Sequence, residues 1–176
     1  MNTTTHFEDS STNPLANLGR AATHATMYIG MLSGAVGISI GGFGLLLPLA
    51  VLFVLLPVID HLIGINEHNP EDATTGRSWL QDVVIVSYVP AQLAFSAWAI
   101  HHAVTAASPW ESVMIAIDLG VISGTFGITV AHELMHRKTG WERALSELQM
   151  ASVHYTWFCI EHVYGHHKHV ATPEDP

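Results

Sequence analysis

Two long stretches of this chain carry no charged side chain at all. No Asp, Glu, Lys or Arg occurs between Arg20 and Asp60, nor from Val83 to Trp110. The first stretch, Ala21 to Ile59, is 39 residues. That is too long for one membrane span of about 20 residues and suits two spans joined by a tight turn. Gly41-Gly42 is the natural turn, because glycine alone enters left-handed backbone freely. The pattern predicts an all-α, polytopic membrane helix bundle with about four transmembrane helices, near 22–40, 43–61, 79–100 and 110–132. The third has an aromatic near each interface, Trp79 and Trp98, and Pro90 in its middle predicts a kink. The fourth carries Gly120, Gly124 and Gly127, a small-residue pattern that invites close approach by another helix.

Composition supports the membrane reading. Charged residues make up 12% of the chain, about half the share of a soluble domain, and 49% is hydrophobic. Residues 1–20 read as a polar, mobile leader, and 21–176 as one membrane domain. The leader lacks the basic start and apolar centre of a secretory signal, so the spans are expected to stay in the mature protein. The net charge of −9 argues against nucleic acid as a partner.

The six basic residues set the orientation. Arg20, Arg77, Arg137, Lys138, Arg143 and Lys168 lie before the first span, in the loop after the second, or after the fourth. The positive-inside rule then places both termini of the chain, the Asp60–Ser78 loop and everything after the fourth span on the cytoplasmic side of an inner membrane.

That side also holds the chemistry. His132 and His136, and 26 residues further on His162, His166 and His167, form two clusters among thirteen histidines. Residues four apart share a helix face, so His132 with His136, and His162 with His166, should each present two imidazoles to one point. Imidazole without thiolate suits iron, copper, nickel or zinc, and the single cysteine, Cys159, cannot build a thiolate site alone. His101 and His102 end the third span on the far side of the bilayer, about 30 Å away, and cannot share the site. His6 lies in the leader and His24 beside the first span; His61 and His68 stand alone in the loop after the second span; His154 and His169 flank the second cluster as hydrogen-bonding neighbours. Asp60, Glu133 and Glu161 are the candidates to accept a hydrogen bond from a ligand's free N–H. Asp118, inside the fourth span, should face a neighbouring helix or the interface rather than lipid.

His132-Glu133-Leu134-Met135-His136-Arg137, and the run from Glu161 through His162, His166 and His167 to Pro176, resemble the first two histidine boxes of the membrane-bound alkane 1-monooxygenases. Leu56-Pro57-Val58-Ile59-Asp60, with Gly64 and Asn69-Pro70, resembles the end of that family's second helix. The resemblance implies terminal hydroxylation of medium-chain alkanes to 1-alcohols at a non-haem site of two iron ions, with oxygen and electrons from rubredoxin. His132, His136, His162, His166 and His167 occupy metal-ligand positions, and the apolar substrate arrives through membrane lipid. Met135 and Arg137 depart from the glycine and lysine common in alkane hydroxylases, and the first box also resembles that of xylene-type aromatic-methyl hydroxylases. The family has further histidine boxes beyond the point where this sequence stops, so the chain is expected to be an N-terminal fragment, inactive alone.

Other classes remain in view. Fatty-acid desaturases and hydroxylases share histidine boxes and the membrane. His132-Glu133-Leu134-Met135-His136 also satisfies the zinc-protease signature, with Glu133 as general base. That reading leaves His162, His166 and His167 unexplained. A non-enzymatic membrane metal-binding protein is the remaining alternative.

Overall fold

The computed structural model describes residues 14–64 and 79–175, and all regular structure among them is helical. Helix α1, Pro14–Ala25, is followed by α2, Tyr28–Ile40. Three long helices come next: α3, Gly42–Ile63, α4, Trp79–Thr105, and α5, Pro109–Met135. Helix α6 covers Gly140–Ser152, and a last helical segment, α7, covers residues 158–169. His6, His68, Arg77, Asn69-Pro70 and residues 1–13 of the expected leader lie outside the described residues.

Helices α3, α4 and α5 are each long and apolar enough to cross a membrane, which makes this a multi-pass membrane protein. At 1.5 Å per residue, α4 and α5 are each about 40 Å long, roughly 10 Å more than the hydrocarbon core. The span expected near 22–40 takes a different form. Around Thr26 and Met27 the helix tightens, with Thr26 N–H on Thr23 O, Met27 N–H on His24 O and Ile29 N–H on Thr26 O. These i→i−3 bonds divide the stretch into α1 and a 13-residue α2, which taken alone is shorter than a span of about 20 residues. Helix α1 starts at Pro14, inside the expected leader, and packs on α4.

The Gly41-Gly42 turn is present, with φ of 70° and 52°. It holds α2 against α3 so closely that a Cβ at Gly37 would sit 2.7 Å from the Gly44 carbonyl oxygen. Glu111 at the start of α5 caps the turn by accepting the Gly42 N–H at 3.0 Å. Helix α3 crosses at the rim with its apolar side chains outward, Phe43, Leu62 and Ile63 among them, as a lipid-facing helix requires. Pro48 and Pro57 supply no N–H, and the chain between them relaxes into a π turn at Val51–Leu55.

Ser108 begins α5 in extended backbone, its Oγ accepting the Glu111 N–H at 3.3 Å, with Pro109 in the first turn. The short connection makes α4 and α5 antiparallel neighbours, pinned at that end by Ser112 Oγ donating to Ala103 O at 2.8 Å. Their shared core includes Tyr88, Val89, Phe95, Ile115, Ile122, Val130 and Leu134. A buried polar chain runs through it: Tyr88 Oη donates to Gln92 Oε1 at 2.8 Å, and Gln92 Nε2 donates to Ser123 Oγ of α5 at 2.9 Å. Pro90 sits within α4, whose helix continues through it.

Of the three α5 glycines, only Gly127 makes a close approach. Its Cβ position is 2.6 Å from Gln149 Nε2 of α6, whereas Gly120 and Gly124 have no neighbour within 4 Å. The intimate contact of α5 with α2 is made instead by Gly30 and Gly34, which receive Phe126 and Ile122. Asp118 is fully buried, away from lipid as expected, and neither of its carboxylate oxygens has a hydrogen-bond partner among the described residues.

Candidate metal centre

Helix α6 doubles back along the end of α5, and Ser146 Oγ donates to Ala131 O at 2.6 Å. The chain then turns at His154, with a φ of 56°, and α7 returns over the last turn of α5. This carries the second histidine cluster onto the first. His132 Nε2 lies 2.7 Å from His162 Nε2 and 3.3 Å from His136 Nε2, and His162 Nε2 lies 3.0 Å from His167 Nε2. The rings of His136 and His167 approach to 4.8 Å, completing a four-imidazole group.

The second pair differs from the four-residue spacing expected of an α-helix. Residues Glu161–His166 form a π turn, and His167 N–H bonds to His162 O. Residues five apart diverge by about 140° in an α-helix, but i→i+5 bonding stacks them. His162 therefore pairs with His167. His166 turns aside, and its Nδ1 lies 2.9 Å and 3.1 Å from the two carboxylate oxygens of Asp175. With Nδ1–H donated there, Nε2 carries the free lone pair. His166 lines a cavity of about 290 Å³ together with Tyr155, Phe158, Glu161 and His162.

Of the acidic candidates, Asp60 is exposed near the end of α3 and takes no part in the imidazole group. Glu133 turns to Arg137, at 2.7 Å, rather than to a histidine. Glu161 lines the cavity beside His162 and His166. Asp175, which sequence reasoning passed over, is the carboxylate that holds a box histidine, and its signal was its place in the run that resembles the family. His102 Nδ1 donates to Trp98 O at 2.9 Å, one end of α4 away from the cluster.

The electrostatics keep the group ready for a cation. Burial, then the neighbouring His132 and His167, hold the His136 imidazole below its usual range. Burial, then His132, His167, His136 and His166, push His162 down to about 4. Both are neutral at pH 7, with lone pairs available. Burial pushes the Cys159 thiol up, which keeps it a neutral thiol.

The chain is similar over 73% of its length to alkane 1-monooxygenase 2 of Pseudomonas aeruginosa, at 34% identity over 139 residues. It is 33% identical over 130 residues to alkane 1-monooxygenase of Acinetobacter baylyi, and 35% identical over 159 residues, 86% of the chain, to alkane 1-monooxygenase 1 of Alcanivorax borkumensis. The chain belongs to the alkane 1-monooxygenase family. A family model described as fatty acid desaturase matches residues 108–176, which hold both histidine clusters. The chain spans about a third of the length of these relatives: 36%, 32% and 38%. For a member of this family the donor set fits a non-haem metal. Metal–imidazole bonds of about 2.0–2.1 Å put neighbouring ligand nitrogens about 2.8–3.0 Å apart at the right angles of an octahedral ion and about 3.3–3.4 Å apart on a tetrahedral one. The spacings of 2.7, 3.0 and 3.3 Å fall at that scale. His132, His136 and His162 alone bring three donor atoms within 4.8 Å of one another.

Proposed function

We propose that the protein hydroxylates the terminal methyl group of medium-chain alkanes to give 1-alcohols, at a histidine-bound site of two non-haem irons that uses dioxygen and electrons from rubredoxin. The observation that carries this reading is the convergence of imidazoles from α5 and α7 at the end of a membrane-spanning helix, in a chain of this family. The donor set contains no thiolate to be oxidised. His132, His136, His162 and His167 would hold one metal, and His166, oriented by Asp175, would offer Nε2 to a second. Iron bound there supplies the redox chemistry by which dioxygen, two electrons and two protons convert R–CH3 to R–CH2OH and water.

The rest is done by this chain's own side chains. Val83, Val86, Val89, Pro90 and Leu93 of α4 with Leu145 and Leu148 of α6 line a groove of about 340 Å³, an apolar surface on which a lipid-dissolved substrate can lie. Lys138, Arg143 and Lys168 give the histidine side a basic face for an acidic electron donor, and by the positive-inside rule that face is cytoplasmic and the membrane the inner one. Arg137 is not part of that face, since its side chain is 14% exposed and paired with Asp82 and Glu133.

The full-length protein with reduced rubredoxin and oxygen should convert octane to 1-octanol and contain two irons. No product with intact iron would refute the assignment. Exclusive oxidation of aromatic methyl groups would favour the xylene-type reading. The desaturase family match gives a second reading its footing, and olefin formed from a fatty acyl chain would establish it instead.

A further inference from the structure

His132 and His136 stand where α5 ends. His136 is the terminal residue, with φ −80° and ψ −5°, and Arg137 N–H reaches back only to Leu134 O, at 3.1 Å. A helix frays at such an end, because its last carbonyls lack intrahelical partners. Two ligands on a fraying turn would not hold their geometry unaided. Helix diameter puts a side-chain atom about 6 Å from the axis, so a rotation of about 10° displaces it by about 1 Å. A metal constellation tolerates about 0.5 Å.

Arg137 supplies the missing restraint. Its guanidinium is forked: Nη2 lies 2.7 Å from Glu133 Oε1 on the same helix, and Nη1 donates to Asp82 Oδ1, 3.1 Å away in the first turn of α4. The arginine and Asp82 side chains are 14% and 24% exposed, so the arm to α4 lies mostly out of water, while Glu133 is 52% exposed. Glu133 follows His132 within the helix, about 100° around from it, and Arg137 follows His136 just past the helix end, so the pair forms a stripe beside the imidazoles. Gripping that stripe from α4 fixes the rotation of the turn that carries the imidazoles. The planar fork matters, since an ammonium would meet the two carboxylates only as a point charge.

We propose that Arg137 is a positioning residue that locks the last turn of α5, and with it His132 and His136, by bridging Glu133 to Asp82 of α4. The inference rests on the reading of those two histidines as metal ligands. It gives Glu133 a structural partner within the first histidine box, in place of a hydrogen bond to a ligand.

The test is a cobalt(II) titration of the metal-stripped full-length protein, followed by the ligand-field spectrum, with thermal stability measured on the same samples. Arg137→Gln and Asp82→Asn should each weaken cobalt binding about 10-fold or more and shift the spectrum, as loss of outer partners does at metal sites. The double variant should be no worse than the weaker single. Arg137→Lys, which keeps the charge and drops the fork, should fall between, and it serves if Arg137→Gln fails to accumulate. Glu111→Gln, which loosens the opposite end of α5, should lower thermal stability and leave affinity and spectrum unchanged. Wild-type affinity and spectrum in Asp82→Asn and Arg137→Lys would overturn the proposal, as would an equal loss in Glu111→Gln. A wild-type protein that binds no cobalt, or binds it equally well after His132→Ala, would instead overturn the metal reading beneath it.

Discussion

His162 occupies the hub of the imidazole group. Its Nε2 is within 3.0 Å of both His132 and His167, while His136 reaches the group through His132 Nε2 at 3.3 Å and through the His167 ring at 4.8 Å. Replacing His162 by alanine therefore removes one donor and leaves His167 in touch with the α5 pair only through the His136 ring. Structural metal sites bind with about 10–16 kcal/mol, so one of four ligands accounts for about 2.5–4 kcal/mol, or a loss in affinity of roughly 100- to 1,000-fold. His132→Ala should match it, whereas His136→Ala and His167→Ala, each with one Nε2 neighbour at hydrogen-bond distance, should fall at the lower bound. His166→Ala and Asp175→Ala leave the four-imidazole group whole, so tight binding of the first metal should survive while the iron count falls from two toward one. The assay is competitive titration of the metal-stripped full-length protein with a chelator of known affinity, together with iron analysis of the purified protein, and His101→Ala serves as a control. If His162→Ala held its metal within about tenfold of wild type, or if His166→Ala and His162→Ala were indistinguishable, the division into four plus one would be wrong.

Gln92→Leu strands the Tyr88 hydroxyl and cuts the bond to Ser123; a double-mutant cycle of Gln92→Leu with Ser123→Ala should give a coupling of about 0.6–1.7 kcal/mol by unfolding in bicelles, and additive effects would refute the α4–α5 link. Acid should weaken the metal-free fold: His162, held at about 4, and His136, held below its usual range, bind fewer protons folded than unfolded, so stability is full above about pH 6.5 and declines as pH falls toward 4. Thermal scans of the stripped protein at pH 7.5 and 5 check this, and equal midpoints would contradict it.

Much of the architecture was legible in the sequence because it depends on local rules. Charge-free runs mark spans, Gly41-Gly42 marks a turn, and histidines four apart on α5 share a face whatever surrounds them. The break between α1 and α2 was not legible, since the apolar run continues unchanged through Thr26 and Met27 and nothing in hydropathy records a shift to i→i−3 bonding. Nor was the pairing of His162 with His167. A template of 3.6 residues per turn selects His166, and only the π turn, in place once α7 folds onto α5, selects its neighbour. The same limit hid Asp175 and the Arg137 bridge to Asp82: their partners lie nine and 55 residues away in sequence, and tertiary packing alone brings them together. Sequence alone determined which side chains are available and on which stretch of chain. Which of them meet depended on backbone irregularity and helix contact, because a ligand's direction changes with each residue of helical phase.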